Sequence, residues 1–399
     1  MHIAVFSQYH TNPDCPATSR HYSLLTQLAK THRITLITTR TWEQQRLTRE
    51  FPWVPEGVEM RAAAVPYDNR MGVARRALSF GQYAAYALRE GLRIDKPDVI
   101  WGISTPLTAA WAAAQVARWR RVPWVFEVQD LWPSFPIAMG AVPNRLAQRS
   151  LYALERGLYQ SAQHILPLSP DMTEYVRQSG IPAEKLTTVL NGTDLDLAAQ
   201  ATDVAVEELR RQWELQGCRV VLYAGTFGRA NDIPLLIDAA VQLAPMCPEV
   251  VWLFMGHGFY DVLLEQAALR YSFIRVVPPQ PRHAVFTWFK LADVSVASFL
   301  GLPVLDANSP AKFYDSLAVG TPVIVTNPGW TKRLVEQQQC GWYSPASDAT
   351  ALAKKLAHLF QVPEELRAAG ARGQQVASTD FDRQQIGRTV QQILEAAYL

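Results

Sequence analysis

The chain predicts two successive doubly wound α/β domains, and three observations carry that prediction. Short runs of β-branched and aromatic residues alternate with longer helical patterns along almost the whole length. Strand candidates such as 99–101 and 124–126 are apolar without alternation, the pattern of parallel strands covered by helices on both faces. The length of 399 residues suits two or three domains of about 100–200 residues each.

In the first half the strand candidates are 2–6, 33–39, 58–64, 98–102, 124–128, 164–168 and 186–190. Helical patterns lie between them at 18–30, 72–93, 107–119 and 144–160; the first sets Leu25, Leu28 and Ala29 at helical spacing. The second half repeats the rhythm with strands at 220–224, 250–255, 274–277, 294–297 and 322–326, and a helix at 233–243. The seam falls near Asn191-Gly192-Thr193-Asp194, because Asn-Gly marks a turn and a new helical pattern starts at 203. No low-complexity tract or short-period repeat interrupts this order.

Composition narrows the class. Hydrophobic residues make up 49% and charged residues 19%, the balance of a folded protein. The formal net charge of +2 is too even for a dedicated nucleic-acid binder. It divides mildly: residues 1–199 carry 21 Lys or Arg against 17 Asp or Glu, and 200–399 carry 17 against 19. Cys15, Cys218, Cys247 and Cys340 are widely separated, so neither a disulfide framework nor a zinc finger is expected, and reduced cytosolic thiols are. The chain opens on a strand pattern, so no secretory signal is expected. The stretch 107–117 falls short of the roughly 20 residues of a spanning helix. A soluble, cytoplasmic chain is the expectation.

Ligands of open α/β sheets bind at the carboxyl ends of strands, and two such domains make the cleft between them the default site. Four segments stand at such ends. In Tyr223-Ala224-Gly225-Thr226-Phe227-Gly228-Arg229, two glycines allow close backbone approach, a helix from about Asn231 would offer free N–H groups to an anion, and Arg229 would add charge. A plain strand-to-helix turn would use the same glycines. Phe254-Met255-Gly256-His257-Gly258 would admit a base or phosphate to the backbone, although a lone Gly-x-Gly is common. Ser309 reads as a helix cap with Pro310 at the first helical position and Ala311 after it, so the helix start presents amides with Lys312 beside them. Lys312 and Asp315 stand three apart and can share a face, which suits a diphosphate and a ribose. A capped surface helix with a weak ion pair fits that spacing too. Glu127, Gln129 and Asp130 end a strand before Leu131-Trp132-Pro133, where carboxylates are costly to bury unless paired.

Taken together these segments resemble the GT-B glycosyltransferases of the large retaining family 4, in the WbuB-like branch that builds bacterial surface polysaccharides. The likeness runs over essentially the whole chain. Ser7-Gln8-Tyr9 with Pro16-Ala17-Thr18-Ser19-Arg20 resembles the family's first loop; 126–133 and 189–194 resemble its later N-terminal landmarks. Residues 223–228 resemble the opening of the second domain, and 309–325 with Gly329-Trp330 is the most specific match. The resemblance implies α/β architecture of the GT-B fold, with two Rossmann-like doubly wound domains facing across a central cleft. The first spans 1–196, joined by a crossover helix within 381–399, and the second spans 197–380.

It also implies roles. Gln129, Asp130 and Lys312 would be catalytic, with Gln129 and Asp130 facing sugar and acceptor. Gly225, Thr226, Gly228, Arg229, Ser309, Pro310 and Ala311 would hold donor phosphates, Asp315 the ribose, and Gly256, Gly258 and Arg282 the base. Pro16, Ser19 and Arg20 would lie on the acceptor side. The sequence departs from the family at Ala307 and Asp315, where many members carry two glutamates eight apart. It departs again at Thr226 and Asn231, where many carry Arg and Lys, and at Gln129, where a His is frequent.

The implied activity is retaining transfer from a nucleotide diphosphate sugar, UDP-linked and N-acetylated or 6-deoxy, to a glycan or lipid-linked acceptor, with no cofactor and no metal. A UDP-sugar 2-epimerase of the same architecture and a catalytically degenerate nucleotide-sugar-binding scaffold are the alternatives. Peripheral contact with an anionic membrane is expected of the pattern 70–93. There Arg70, Arg75, Arg76, Arg89 and Arg93 flank Met71, Leu78, Phe80, Tyr83, Tyr86 and Leu88. A core-packed helix with a solvated basic edge reads equally well from that pattern.

Overall fold

The computed structural model describes residues 1–68 and 71–399. The chain divides into two units. One comprises Met1–Asn191, Ala307–Ser309 and Arg383–Leu399, and the other Gly192–Asp306 and Pro310–Asp382. The division falls within the Asn-Gly turn at 191–192.

The first unit holds a six-stranded sheet of β1 (His2–Phe6), β2 (Arg33–Thr39), β3 (Val58–Ala63), β4 (Val99–Ile103), β5 (Trp124–Val128) and β6 (His164–Pro167), in the order β3-β2-β1-β4-β5-β6. Every pairing is parallel. Its helices are α1 (Arg20–Leu28), α2 (Val73–Gly91), α3 (Leu107–Arg120), α4 (Ser134–Ala138), α5 (Arg145–Ser161) and α6 (Pro170–Gln178). The second unit carries α7 (Leu195–Ala198), α8 (Asp203–Gln212), β7 (Arg219–Ala224), α9 (Ile233–Leu243), β8 (Val250–Met255) and α10 (Asp261–Arg270). It continues with β9 (Ile274–Val277), α11 (Arg282–Leu291), β10 (Val294–Ala297), α12 (Ala311–Ala318) and β11 (Val323–Val325). It closes with α13 (Trp330–Gln338), β12 (Gly341–Tyr343), α14 (Ala349–Gln361) and α15 (Pro363–Asp380). Its sheet runs β12-β11-β10-β7-β8-β9, again all parallel. Counted within each unit, both sheets follow the strand order 3-2-1-4-5-6 of dinucleotide-binding folds.

The continuous apolar strands are explained by burial on both faces: every residue of β1, β4, β5 and β8 is buried. The last helix, α16 (Arg383–Tyr398), returns to the first unit. Ile386, Val390 and Leu394 join Leu24, Leu25 and Leu28 of α1 in its core. Among the described residues no helix is long and apolar enough to cross a membrane.

Three expected elements differ. Residues 186–190 form no strand: Thr187 and Val189 donate to β6 carbonyls at 3.1 and 2.9 Å, but the chain then leaves the sheet because the carbonyls of Leu190 and Asn191 accept from Arg20 at 2.8 and 3.0 Å. The helix expected at 233–243 is present as α9, but the helical amides expected from about Asn231 are set back by two residues. A 3₁₀ turn fills Arg229–Asn231, and Asp232 takes a left-handed conformation, φ 49°, between them. Ser309 stands one residue further out than expected: Pro310, extended at ψ 130°, is the residue before the helix, which starts at Ala311. The short edge strand β12 has no counterpart in the sequence reading.

Candidate active site

In the second unit the loop after β7 is interlocked with the loop after β8. Gly225 donates its amide to the Met255 carbonyl and Phe227 to the His257 carbonyl, each at 2.9 Å, while Gly256 donates to Val277 at 3.2 Å. Gly225, Gly256 and Gly258 take φ of 138°, 146° and 159°. A Cβ on Gly256 would lie 1.9 Å from the Gly225 carbonyl oxygen, and one on Gly258 would lie 2.8 Å from that of Phe227. Gly256 and Gly258 are therefore required where two backbones meet, a packing reason that stands beside their expected place near a base. Gly225 and Thr226 are exposed. The bonds of Gly225 and Phe227 leave the amides of Thr226 and Gly228 as the donors this loop can offer an anion.

Lys312, in the first turn of α12, reaches beneath that loop. Its Nζ lies 3.8 Å from the ring centroid of Tyr223, and a Cβ on Gly225 would come within 3.2 Å of it. The Nζ is buried without a hydrogen-bond partner, and burial lowers its pKa to about 7. The amides of Ala311 and Lys312 open the same helix, where the dipole adds to the attraction for an anion. A partnerless ammonium beneath glycine backbone and helix-start amides is an incomplete electrostatic arrangement that one anionic group completes.

Asp315 and Arg282, expected at ribose and base, are bonded to each other. Asp315 is 2% exposed; Arg282 donates to both of its oxygens and Thr193 Oγ1 donates to one at 2.8 Å. Arg282, itself 3% exposed, also lies 3.9 Å from Asp194 and packs over Phe286. The pair ties α11 and α12 to the segment 193–194, so Lys312 and Asp315 turn to different partners despite their spacing. The Asp315 carboxylate is thus engaged by Arg282 and Thr193, and the Arg282 guanidinium by Asp315. Arg229 is exposed, its guanidinium 4.1 Å above the ring of Phe259.

The first unit gathers polar groups at the ends of β4 and β5. Glu127 is fully buried and accepts from Arg20 Nε at 3.2 Å, from Gln129 Nε2 at 2.9 Å, and faces His21 Nε2 at 3.3 Å. Burial opposes its ionisation, yet Arg20 and His21 hold its pKa down to about 2. Arg20, expected on the acceptor side, is 2% exposed and committed to this carboxylate and to two carbonyls. Ser19 is buried and Pro16 half-buried. Gln129 bridges Glu127 and His21 Nε2, the latter at 2.9 Å, so its amide group is held and its carbonyl is the end left to a ligand. Asp130 is partly open; burial raises its pKa to about 6 against a 3.0 Å bond from Thr105 Oγ1. Sequence reasoning missed His21, although it follows Arg20 directly, and it singled out Glu127 without its partners, because Arg20 and His21 lie 107 and 106 positions away.

Of the stripe expected on α2, Leu78, Arg75 and Arg89 are exposed while some aromatics turn inward. Tyr83 is fully buried and donates to the Ile37 carbonyl at 2.8 Å, and Phe80 packs against Tyr67 and Trp132. The aromatic side of the helix belongs to the core; Arg70 lies outside the described residues.

The two Rossmann-like sheets, each with its ligand-facing loops at strand carboxyl ends, define a protein of the GT-B fold. Residues 18–192 match the glycosyl transferase 4-like domain, and 205–376 match the glycosyl transferases group 1 domain. The chain thus pairs these two glycosyltransferase domains along most of its length.

Among curated proteins it is similar to WcaL of Escherichia coli (strain K12), named for colanic acid biosynthesis, at 26% identity over 60% of this chain and 58% of WcaL. It is similar also to the amylovoran biosynthesis glycosyltransferase AmsK of Erwinia amylovora, at 21% over 60% of this chain and 57% of AmsK. The chain spans less than three-fifths of either relative's length. Solved structures agree in fold. Anabaena HepE, in complex with UDP and glucose, superposes with a TM-score of 0.73 at 17% identity, covering 99% of this chain and 100% of HepE. Sucrose-phosphate synthase from Thermosynechococcus elongatus gives 0.76 at 19%, covering 100% and 99%.

Proposed function

We propose that this chain is a retaining glycosyltransferase of surface polysaccharide assembly. It would move a sugar from a UDP-linked donor, N-acetylated or 6-deoxy, to a glycan or lipid-linked acceptor. The observation that carries the reading is Lys312, a buried ammonium with no partner beneath the Gly225 loop. The paired glycosyltransferase domains, the names of WcaL and AmsK, and the UDP bound by HepE support it.

In this reading the diphosphate lies on Lys312 and on the amides of Thr226, Gly228 and Ala311. As the bond from C1 to the phosphate oxygen breaks, negative charge grows on that oxygen, where donors fixed by the fold meet it without reorganisation. Arg229, released from Phe259, adds a second cation. The acceptor hydroxyl attacks C1 on the face the diphosphate leaves, so configuration is retained and no protein nucleophile is required. Asp130 supplies a carboxylate whose raised pKa suits taking up the hydroxyl proton. Asp315 acts as the tether of α12, not as a ribose contact. No metal takes part in this scheme, and transfer continues in EDTA.

The test is Lys312→Met. UDP raises the melting temperature of the parent chain, since a ligand that binds only the folded state stabilises it. The variant loses that shift, and its UDP release falls by about 100-fold, the scale of removing one preorganised donor to a developing oxyanion. Near-parental UDP stabilisation and transfer in Lys312→Met would overturn the assignment. Consumption of UDP-sugar without any acceptor would point to the epimerase instead.

A further inference from the structure

The loops that follow β4 and β5 run side by side, because the two strands are parallel with Ile103 registered against Glu127. Three bonds join them beyond the sheet. Ser104 donates its amide to the Glu127 carbonyl at 3.0 Å, and its hydroxyl accepts from the Gln129 amide at 3.2 Å. Thr105 Oγ1 donates to Asp130 Oδ2 at 3.0 Å. Ser104 is 1% exposed, so burial holds this stitching as well as the bonds do.

A threonine just ahead of a helix commonly caps it, but Thr105 does not. Pro106 is the residue before α3, and no side chain caps that helix. Asp130 is not engaged by α4 either, since that helix follows Pro133 with no side-chain cap. The hydroxyl and the carboxylate therefore serve each other. The bond from Thr105 is the one hydrogen bond the carboxylate accepts among the described residues, and it leaves Oδ1 free on a partly open side chain.

The other charged and titratable groups around this loop have partners of their own. Glu127, on the same strand, is bonded by Arg20 and faces His21, both on α1. On the side of α4, Ser134 is bonded to Tyr175 of α6 at 2.8 Å, and Tyr175 donates to Glu155 of α5 at 3.3 Å. Burial raises the pKa of Asp130 to about 6, and the Thr105 hydroxyl is the group that works against it.

We infer that Thr105 is a positioning residue for the transfer, fixing one oxygen of Asp130 so that the other takes the proton of the attacking hydroxyl. The inference rests on the reading of Asp130 as the base. As the bond from C1 to the diphosphate breaks, its electron pair leaves with the diphosphate and the attacking oxygen bonds C1. The proton of that oxygen passes to Asp130 Oδ1, while Thr105 keeps Oδ2 in place. Because the hydroxyl donates to the ionised form, it also favours the carboxylate that can act as a base.

The experiment reads the carboxylate directly. The full chain, isotopically labelled at its aspartate carboxyl carbons, is titrated by NMR, and Asp130→Asn assigns the signal. The parent inflects near pH 6. Thr105→Val inflects about one pH unit higher, the scale of one hydrogen bond to a charged group, and Thr105→Ser returns the inflection toward the parental value. Release of UDP from UDP-glucose and UDP-N-acetylglucosamine, with water as the acceptor, follows the same shift. Thr105→Val is about tenfold slower than the parent at about pH 5 and close to it at about pH 9. A residue that merely supports the loop would lower the rate by one factor at every pH. The melting shift with UDP stays parental in each variant, so folding and the donor site are read separately. An unmoved inflection in Thr105→Val, or a loss of rate independent of pH, overturns the inference. Parental UDP release by Asp130→Asn would overturn the base reading, and this role for Thr105 with it, even where the inflection moves. Failure of the donor reading shows apart from both, as a parent whose melting temperature UDP does not raise.

Discussion

At the scale of single residues, Lys312 is the group whose environment departs furthest from its ordinary chemistry. Burial lowers its pKa to about 7, whereas an unfolded lysine titrates near about 10.4. Between those values the unfolded chain holds a proton that the folded chain has released, so this residue makes stability rise with pH across that window. Below it, the folded state carries the full cost of a buried charge. Lys312→Met therefore melts above the parent at pH 7, and the difference closes as pH approaches 10; melts across that range check it. A bound diphosphate reverses the balance by favouring the ammonium, so UDP binding at pH 8 takes up a proton. Calorimetry in two buffers of different ionisation enthalpy reads that uptake, and a heat independent of buffer would contradict it. Glu127 illustrates the opposite case, a buried carboxylate kept ionised because Arg20 is buried with it. The residue types at both places stood out in the sequence. Their pairings did not, because the partners of Glu127 and of Asp315, Arg20 and Arg282, lie far away in the sequence.

At the scale of elements, the strands were legible because helices cover both sheet faces, which leaves uninterrupted apolar runs such as Val250–Met255. Boundaries that depend on a single bond were not. The segment 186–190 has strand-like residues, yet Arg20 draws its last carbonyls away from the sheet. The start of α12 moved past Ser309 because Pro310 holds an extended conformation. The glycines of the β8 loop were seen, but the packing against the neighbouring loop that requires them was not. Gly256→Ala accordingly costs about 2 kcal/mol or more, since its Cβ meets backbone and its φ is positive. Gly228→Ala meets only the movable Asn231 side chain at 3.1 Å and has φ −84°, so it changes stability by less than about 0.5 kcal/mol. Urea denaturation of the two variants distinguishes these outcomes.

At the scale of the whole molecule, the first unit is completed by residues from the far end of the chain. Ile386, Val390 and Leu394 fill its core, and Arg383 donates to the Asn191 carbonyl at 3.2 Å and to Thr18 at 2.8 Å. Burying each apolar side chain stabilises by about 1.5–3 kcal/mol, so the three together approach the entire margin of a domain, about 5–15 kcal/mol. Ending the chain after Asp382 should abolish the cooperative melt of the first unit and expose apolar surface to a dye such as ANS. A truncated chain with the parental melt would show that α16 contributes little.

The sequence by itself determined the alternation of strands and helices, the turn at Asn191-Gly192, and the loops at 225–228 and 309–315 where an anion can be met. Those features are local: they follow from periodicity, backbone freedom and residue type within a few positions of one another. Only the tertiary structure decided which charges are spent and which remain available. Arg20 closes on Glu127 and Arg282 on Asp315 across long stretches of chain, while Lys312 lies over the Tyr223 ring with no hydrogen-bond partner. Pairing depends on distance in space, and a sequence lists its charges without saying which of them the fold will bring together.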